Sequence, residues 1–392
     1  MAKRLIGLLV GFLFLFLGMR LTDAQAAPAA NGTPSIIAGE IKAKGAVLMD
    51  AGTGRVLFAQ NAHLRLPMAS TTKIMTALIA LEQERLDEYF TVSTAAVHVE
   101  GSSMGLLEGD SVSLRALAYG MLLPSGNDAA NAAAMRIAGS LPDFADLMNA
   151  RAEEIGLQDT HFVTPSGLND PNHYSTAYDM ALLAREALKN PLFAEICSQS
   201  KAVVQYGNPP YNRWMQNHNR LLRSYEGTIG VKTGYTAAAG RCLVSCAERG
   251  GIKLIAVTLN CSDDWNVHAK LYDSYFSRLN LTNIAKILPD VQIPVMGGTA
   301  LKVRAVYEKP PKLAVLEGEA VTVDVSAEPL LFAPAERGRL VGTLSVCLSG
   351  EPVLELPLTL GKTVKVSQKS NLLEKLFGNE SENAFKTQNG KE

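Results

Sequence analysis

The 392-residue chain has few cysteines, almost no net charge and only one long apolar run, and each shortage excludes a class of protein. Its five cysteines (Cys197, Cys242, Cys246, Cys261, Cys347) are an odd number and cannot all pair, and none of their spacings resembles a zinc site. Cys242 and Cys246 fall in a run that reads as one strand, where four residues separate them by about 13 Å, beyond disulfide reach. Mostly buried thiols are expected, with one bridge elsewhere left open. The formal net charge is −1 and no extended basic run follows the first residues, which argues against a nucleic-acid partner. The apolar run Leu5 to Met19 is shorter than the roughly 20 residues that span a bilayer. Lys3 and Arg4 precede it and Ala24-Gln25-Ala26-Ala27 follows, the pattern of a secretory signal with an A-x-A cleavage site. A signal peptide over residues 1–26 and an exported chain are therefore expected, an uncleaved anchor being the alternative. Removing that segment takes away a net charge of +2 and leaves about −3.

What the chain does have is apolar content, 47%, ample for a core, and a length that suggests two or three domains. Ala46–Asp50 and Val56–Ala59 flank Gly52-Thr53-Gly54, a hairpin signal. Helical segments are expected from Ile74 to Leu81, Leu114 to Leu123, just after Asp128, Leu141 to Ile155, Thr176 to Leu188 and Val267 to Leu279. A polar loop with Pro and Gly spans Thr160 to His173. Val231–Thr236, Cys242–Cys246 and Leu254–Leu259 read as neighbouring strands joined by Gly turns. Near Leu288-Pro289 the composition changes, and from Val291 to Val366 short β-branched runs alternate with turn residues, with no helix and no catalytic cluster. The expected fold class is α/β, helices packed on an antiparallel sheet, with a second, smaller all-β domain. The expected domains are 40–285 and a small β-sandwich over 290–367. Segment 370–378 places Leu372, Leu373, Leu376 and Phe377 at i, i+1, i+4 and i+5, an amphipathic helix that either docks weakly on a membrane surface or packs on the β-domain. The polar tail 379–392 is expected to be disordered.

The chemistry gathers around Pro67-Met68-Ala69-Ser70-Thr71-Thr72-Lys73, which runs directly into the apolar helix. Positions three apart share a helix face about 5–6 Å apart, so the Lys73 amine can sit beside the Ser70 hydroxyl. A serine needs a neighbouring base to act as nucleophile, and lysine is a base only where burial or a second cation keeps it neutral. The helix start adds free N–H groups suited to an oxyanion. About one S-x-x-K is expected by chance in such a chain, and Ser198-Gln199-Ser200-Lys201 is a second example. Two further motifs give the first its meaning: Ser125-Gly126-Asn127, echoed at Ser381-Glu382-Asn383, and Lys232-Thr233-Gly234, which occurs once. Ser125 can relay a proton between Lys73 and a leaving amine, and Asn127 can hydrogen-bond a substrate amide. Lys232 supplies the second cation and attracts an anion, and Thr233 offers a hydroxyl to a carboxylate. Gly234 lets a substrate approach the strand, whose edge can pair with an extended peptide.

In this order the three motifs resemble those of the penicillin-binding protein and serine β-lactamase superfamily. The chain is most similar to its low-molecular-mass serine D-Ala-D-Ala carboxypeptidases. The resemblance extends through Ser125-Gly126-Asn127-Asp128-Ala129-Ala130 and Lys232-Thr233-Gly234-Tyr235-Thr236 to the exported two-domain layout. It implies a β-lactamase/transpeptidase-like catalytic domain and a β-domain stalk toward the membrane. It also implies Ser70 as acyl-ester nucleophile, Lys73 as proton acceptor, Ser125 as catalytic partner and Lys232 as substrate contact. The implied substrate is the peptidoglycan stem peptide ending in D-Ala-D-Ala, with β-lactams as covalent inhibitors and the outer face of the cytoplasmic membrane as the place of work. No cofactor and no metal are expected. Some relatives bind the terminal carboxylate with an arginine in the helix after the strand pair. The matching region, Asp263-Asp264-Trp265-Asn266-Val267-His268, has none, which leaves Arg241 and His268 as substitutes. A β-lactamase is the first alternative, but Pro165 in Pro165-Ser166-Gly167-Leu168-Asn169 stands where class A enzymes place a glutamate. A non-hydrolytic penicillin-binding wall sensor is the second.

Overall fold

In the computed structural model, residues 41–367 are described. The expected signal peptide, the segment 370–378 and the tail 379–392 lie outside them, as does Ser381-Glu382-Asn383. The centre is a five-stranded antiparallel sheet in the order Val56–Gln60, Ala43–Asp50, Ile252–Cys261, Gly240–Arg249, Thr228–Thr236. The expected hairpin forms its first edge, with Asp50 accepting from Gly52, Thr53 and the Thr53 hydroxyl to close the turn. The three inner strands are apolar along nearly their whole length because both sheet faces are covered. One face packs on the helices Lys73–Leu81, Leu114–Leu122, Asn127–Ala138 and Ala177–Ala187, the other on the helix Asp264–Phe276.

The helix Lys73–Leu81 is buried at every position, which is why its sequence shows an unbroken apolar run and not a stripe. The neighbouring helices begin at side-chain caps: Ser113 accepts from Ala116, Ser140 from Asp143 and Thr176 from Asp179. The last helix starts at Asp264, three residues before the expected Val267, because Asp263 and Asp264 form a polar first turn outside the apolar pattern. It stops at Phe276, and Leu279–Thr282 is already a strand. A second sheet of Phe90–Thr91, Ser111–Val112, Lys201–Gly207 and Pro210–Gln216 has no counterpart in the sequence reading. Two of its strands are two residues long, too short to show an alternation.

Beyond Asp290 the chain forms a six-stranded sheet with its own apolar core, centred on residues such as Val303, Leu344 and Leu358. The composition break at Leu288-Pro289 is not a break in pairing. Leu279–Thr282 pairs with Leu313–Leu316, and Ala314 is buried with Ile41, Leu48 and Leu271 of the central sheet. All five cysteines are buried and unbridged, with Cys242 and Cys246 on one strand. Among the described residues no helix is long and apolar enough to cross a membrane.

Candidate active site

Ser70 does not open the α-helix itself. It sits in a 3-10 turn, Ala69–Thr72, and the α-helix begins at Lys73. Ala69, one residue before the serine, is held at φ 49°, a left-handed conformation that costs a non-glycine residue about 1–2 kcal/mol. The Thr71 hydroxyl donates to the Met68 carbonyl and the Thr72 hydroxyl to that of Ala69. Behind the turn lies the expected polar loop. Gly167 has φ +82°, and a Cβ there would stand 2.0 Å from the Ala69 carbonyl oxygen, so only glycine lets the loop reach the turn.

The spacing argument for Lys73 is realised: its Nζ lies 2.9 Å from Ser70 Oγ. The same nitrogen is 2.7 Å from Asn127 Oδ1 and 2.7 Å from the Ser166 carbonyl oxygen. A neutral amine has two N–H bonds and one lone pair. With Asn127 and Ser166 taking the two donors, the lone pair is left for the Ser70 O–H. Lys73 is fully buried, and burial first, then the charge of Lys232, push its pKa well below that of an ordinary lysine, with Asp128 opposing. The second cation is thus a helper and desolvation the main cause. Burial also lowers Lys232, to about 7. Lys232 Nζ donates to Ser125 Oγ at 2.9 Å and to the Thr233 carbonyl at 2.9 Å.

Ser125 stands at φ 65° at the end of the turn before the helix Asn127–Ala138. Asp128 fixes that corner by accepting from Met104, Gly105 and Leu106 N–H and from the Ser103 hydroxyl. Asn127, expected to meet a substrate amide, is buried with both ends of its own amide engaged: Oδ1 accepts from Lys73, and Nδ2 donates to the Glu100 carbonyl at 2.6 Å. In this structure its partner is the base. Gly234 lies against the nucleophile's turn, since a Cβ there would stand 3.0 Å from both the Ser70 nitrogen and the Met68 oxygen.

Ser70, Ser125, Thr233 and Gly234 line one cleft of about 270 Å³, joined by Ser102, His218, Tyr235, Arg241 and Trp265. Thr233 is half-buried, with its hydroxyl unpaired among the described residues. Of the two candidate carboxylate ligands, Arg241 is at the cleft and His268 is not. His268 is fully buried on the far face of the sheet, with Nδ1 2.6 Å from Ser245 Oγ and Nε2 3.0 Å from Thr258 Oγ1. The motifs do not single out His218. It is carried into the cleft by Asn217 and Asn219, whose amides are locked onto the Cys197, Gln199 and Gly230 carbonyls. A paired Asn-x-Asn between apolar segments is the signal that could have found it.

His173 was also missed. Its Nδ1 accepts from Val163 N–H at 2.9 Å, so Nε2 carries the proton and donates to Thr72 Oγ1 at 2.8 Å. Burial holds its pKa down at about 4. The second S-x-x-K is divided between two elements: Ser198 ends a helix and donates to the Glu195 carbonyl, while Lys201 begins a strand. Among the described residues no cluster of three or more His, Cys, Asp or Glu could hold a metal ion.

A serine beside a buried lysine base, a second serine–lysine pair across the cleft and an edge strand as its wall define a serine acyl-transferring peptidase of the penicillin-binding type. The D-alanyl-D-alanine carboxypeptidase family model (Peptidase_S11) matches residues 29–263, and the chain belongs to that family. It is 32% identical over 349 residues to the D-alanyl-D-alanine carboxypeptidase DacF of Bacillus subtilis, covering 86% of this chain and 90% of that protein. It is 34% identical over 381 residues to DacC of Escherichia coli, covering 92% of each. Penicillin binding protein 5 from Haemophilus influenzae superposes with a TM-score of 0.71 at 27% identity, over 84% of this chain and 100% of that one.

Proposed function

We propose that this chain removes the C-terminal D-alanine from peptidoglycan stem peptides ending in D-Ala-D-Ala, through an acyl-enzyme at Ser70, and that penicillins acylate the same oxygen. The observation that carries the reading is the Lys73 amine, buried and 2.9 Å from Ser70 Oγ, with both its donors already occupied. Ser70 Oγ attacks the carbonyl carbon of the penultimate D-alanine and its proton passes to Lys73 Nζ. As the tetrahedral intermediate collapses, the C–N bond breaks. Lys73 passes the proton it took from Ser70 through Ser125 to the departing D-alanine nitrogen, and Lys232, which donates to Ser125 Oγ, holds that relay in place. Water then attacks the ester carbonyl and gives a proton to Lys73, which returns it to Ser70 Oγ as the C–O bond breaks, so that the shortened peptide leaves as its carboxylic acid and the site is restored. Thr233, with an open hydroxyl on the edge strand, meets the substrate carboxylate, and the strand edge pairs with the peptide backbone. Asn127 serves by orienting Lys73. The work is done outside the cytoplasm, at the outer face of the cytoplasmic membrane.

Mass spectrometry after incubation with a D-Ala-D-Ala peptide and, separately, with penicillin tests this. Free D-alanine and a penicilloyl adduct on the Ser70 peptide are expected, and both vanish in Ser70→Ala. A fully active Ser70→Ala protein ends the proposal, and an adduct without D-alanine release favours the sensor. Rapid penicillin turnover favours the β-lactamase.

A further inference from the structure

We infer that the chain carries a second ligand site, away from the catalytic cleft: a basic cavity at the seam between the central sheet and the all-β part that takes a small phosphate ester.

The cavity, about 260 Å³, shares no residue with the cleft. Three stretches of chain bring four cations to it: Arg185 in the helix Ala177–Ala187 and Lys189 just past its end, Lys253 on the strand Ile252–Cys261, and Lys312 at the foot of the strand Leu313–Leu316. One carboxylate, Asp50, shares the lining. Its oxygens already accept from Gly52 N–H, Thr53 N–H and the Thr53 hydroxyl, so it is tied to its own turn. A chain with a formal net charge of −1 thus gathers positive charge around one hollow. Such a concave site focuses its field on an anion.

The cations are held without being neutralised. Arg185 donates from Nε to the Ala51 carbonyl at 2.8 Å and from Nη2 to the Gly52 carbonyl at 3.0 Å. These backbone partners fix the guanidinium before any ligand arrives, which spares the entropy of ordering it on binding. They carry no charge to cancel its own, and Nη1 has no partner among the described residues. Lys312 is exposed and likewise without a partner among them. Lys189 and Lys253 do have partners, Glu186 at 2.6 Å and Glu248 at 3.5 Å, but both lysines are more than half exposed. Pairs of that kind are weak in water, and a ligand can recruit the amines.

The donor set selects the anion. A planar carboxylate is best met by the two-pronged side of a guanidinium, and here the Nε–Nη2 side is spent on backbone carbonyls. What remains is one N–H edge and three ammonium groups, point charges that suit the several oxygens of a phosphate. The rest of the lining is apolar, with Leu188, Ile229, Ile252 and Leu281, and it can cover the carbon of an esterified group. The volume lies below the roughly 300–1,000 Å³ of pockets for drug-sized ligands, so that group is small.

The test uses the full chain at low salt, with calorimetry of sn-glycerol 3-phosphate and of inorganic phosphate and sedimentation with vesicles of phosphatidylglycerol or phosphatidylcholine. Saturable binding of both free probes is expected, tighter for the ester. Lys253→Glu/Lys312→Glu weakens it at least about tenfold, as for loss of a charged hydrogen bond. Lys302→Glu/Lys309→Glu, the same charge change at exposed positions outside the cavity, leaves it within about twofold. Should the first double variant misfold by circular dichroism, Lys312→Gln removes one exposed, unpartnered amine and still weakens binding several-fold. Sedimentation with phosphatidylglycerol alone, lost in the cavity variant, assigns the ester to a lipid headgroup. Free-ester binding without vesicle binding assigns it to a soluble phosphate ester. No saturable binding of any probe, equal loss in the two double variants, or no preference for the ester over inorganic phosphate overturns the inference. None of these results depends on D-alanine release, so the carboxypeptidase reading stands or falls separately.

Discussion

Lys73 has to be free of its proton before it can take one from Ser70. Burial and Lys232 both move its pKa down, so the rate of penicillin acylation should rise with pH through a limb far below the ordinary lysine range. Removing the repulsion lets Lys73 hold its proton to higher pH, and Lys232→Gln is therefore expected to move that limb upward. The shift is set mainly below pH 7, since Lys232 itself loses charge near there. A limb that stays in place or moves down, measured from adduct formation against pH, contradicts the assignment. His173 makes the complementary prediction for stability. Its folded pKa of about 4 lies below the unfolded value of about 6.5. Its contribution is therefore full above pH 6.5 and is lost as the pH falls to about 4. The full span is worth about 3 kcal/mol. Urea denaturation of His173→Asn should show a flatter pH dependence in that window. His268, held near 3 for the same reason, supplies the slope that remains.

At the scale of elements, the site is a meeting of three short backbones: the 3-10 turn with Ser70, the loop through Ser166 and Gly167, and the edge strand at Gly234. Close approach at each junction is obtained by omitting a side chain. Gly167→Ala is expected to cost about 1–3 kcal/mol in backbone strain alone. The clash with the Ala69 carbonyl also drives the loop off the Ser70 turn and the Ser166 carbonyl away from Lys73. Acylation should slow well before the fold melts, a separation that parallel adduct kinetics and urea curves can resolve. The loop also shows what periodicity cannot see. Its polar, turn-rich run reads as an ordinary connector, yet its backbone oxygen is a ligand of the base.

For the whole molecule, the all-β part is tied to the central sheet through Arg55 and Glu319. The ion pair is largely buried, with side chains 14% and 8% exposed, and Arg55 also reaches the Ala314 carbonyl. Glu319 accepts from Leu316 N–H as well. Glu319→Ala leaves a buried guanidinium unpaired and should cost about 3–5 kcal/mol, whereas replacing both partners by apolar residues should be near neutral. Calorimetry of the single and double variants checks this, and equal losses in both would show that the pairing itself is what stabilises.

By itself the sequence determined the elements that carry a local signature. The hairpin is written in a Gly-rich turn, the buried helix in an unbroken apolar run, and the family in three motifs whose order survives without any structure. It determined that Ser70 and Lys73 would meet, because three residues on a helical turn bring side chains together with no help from the rest of the chain. Only the tertiary structure decided that Lys73 is buried and that Asn127 serves the base. It also decided that Arg241 and not His268 stands at the cleft, and that His173 braces the nucleophile's turn. Those are contacts between residues far apart in the chain, and desolvation and hydrogen-bond geometry exist only once the distant segments have packed.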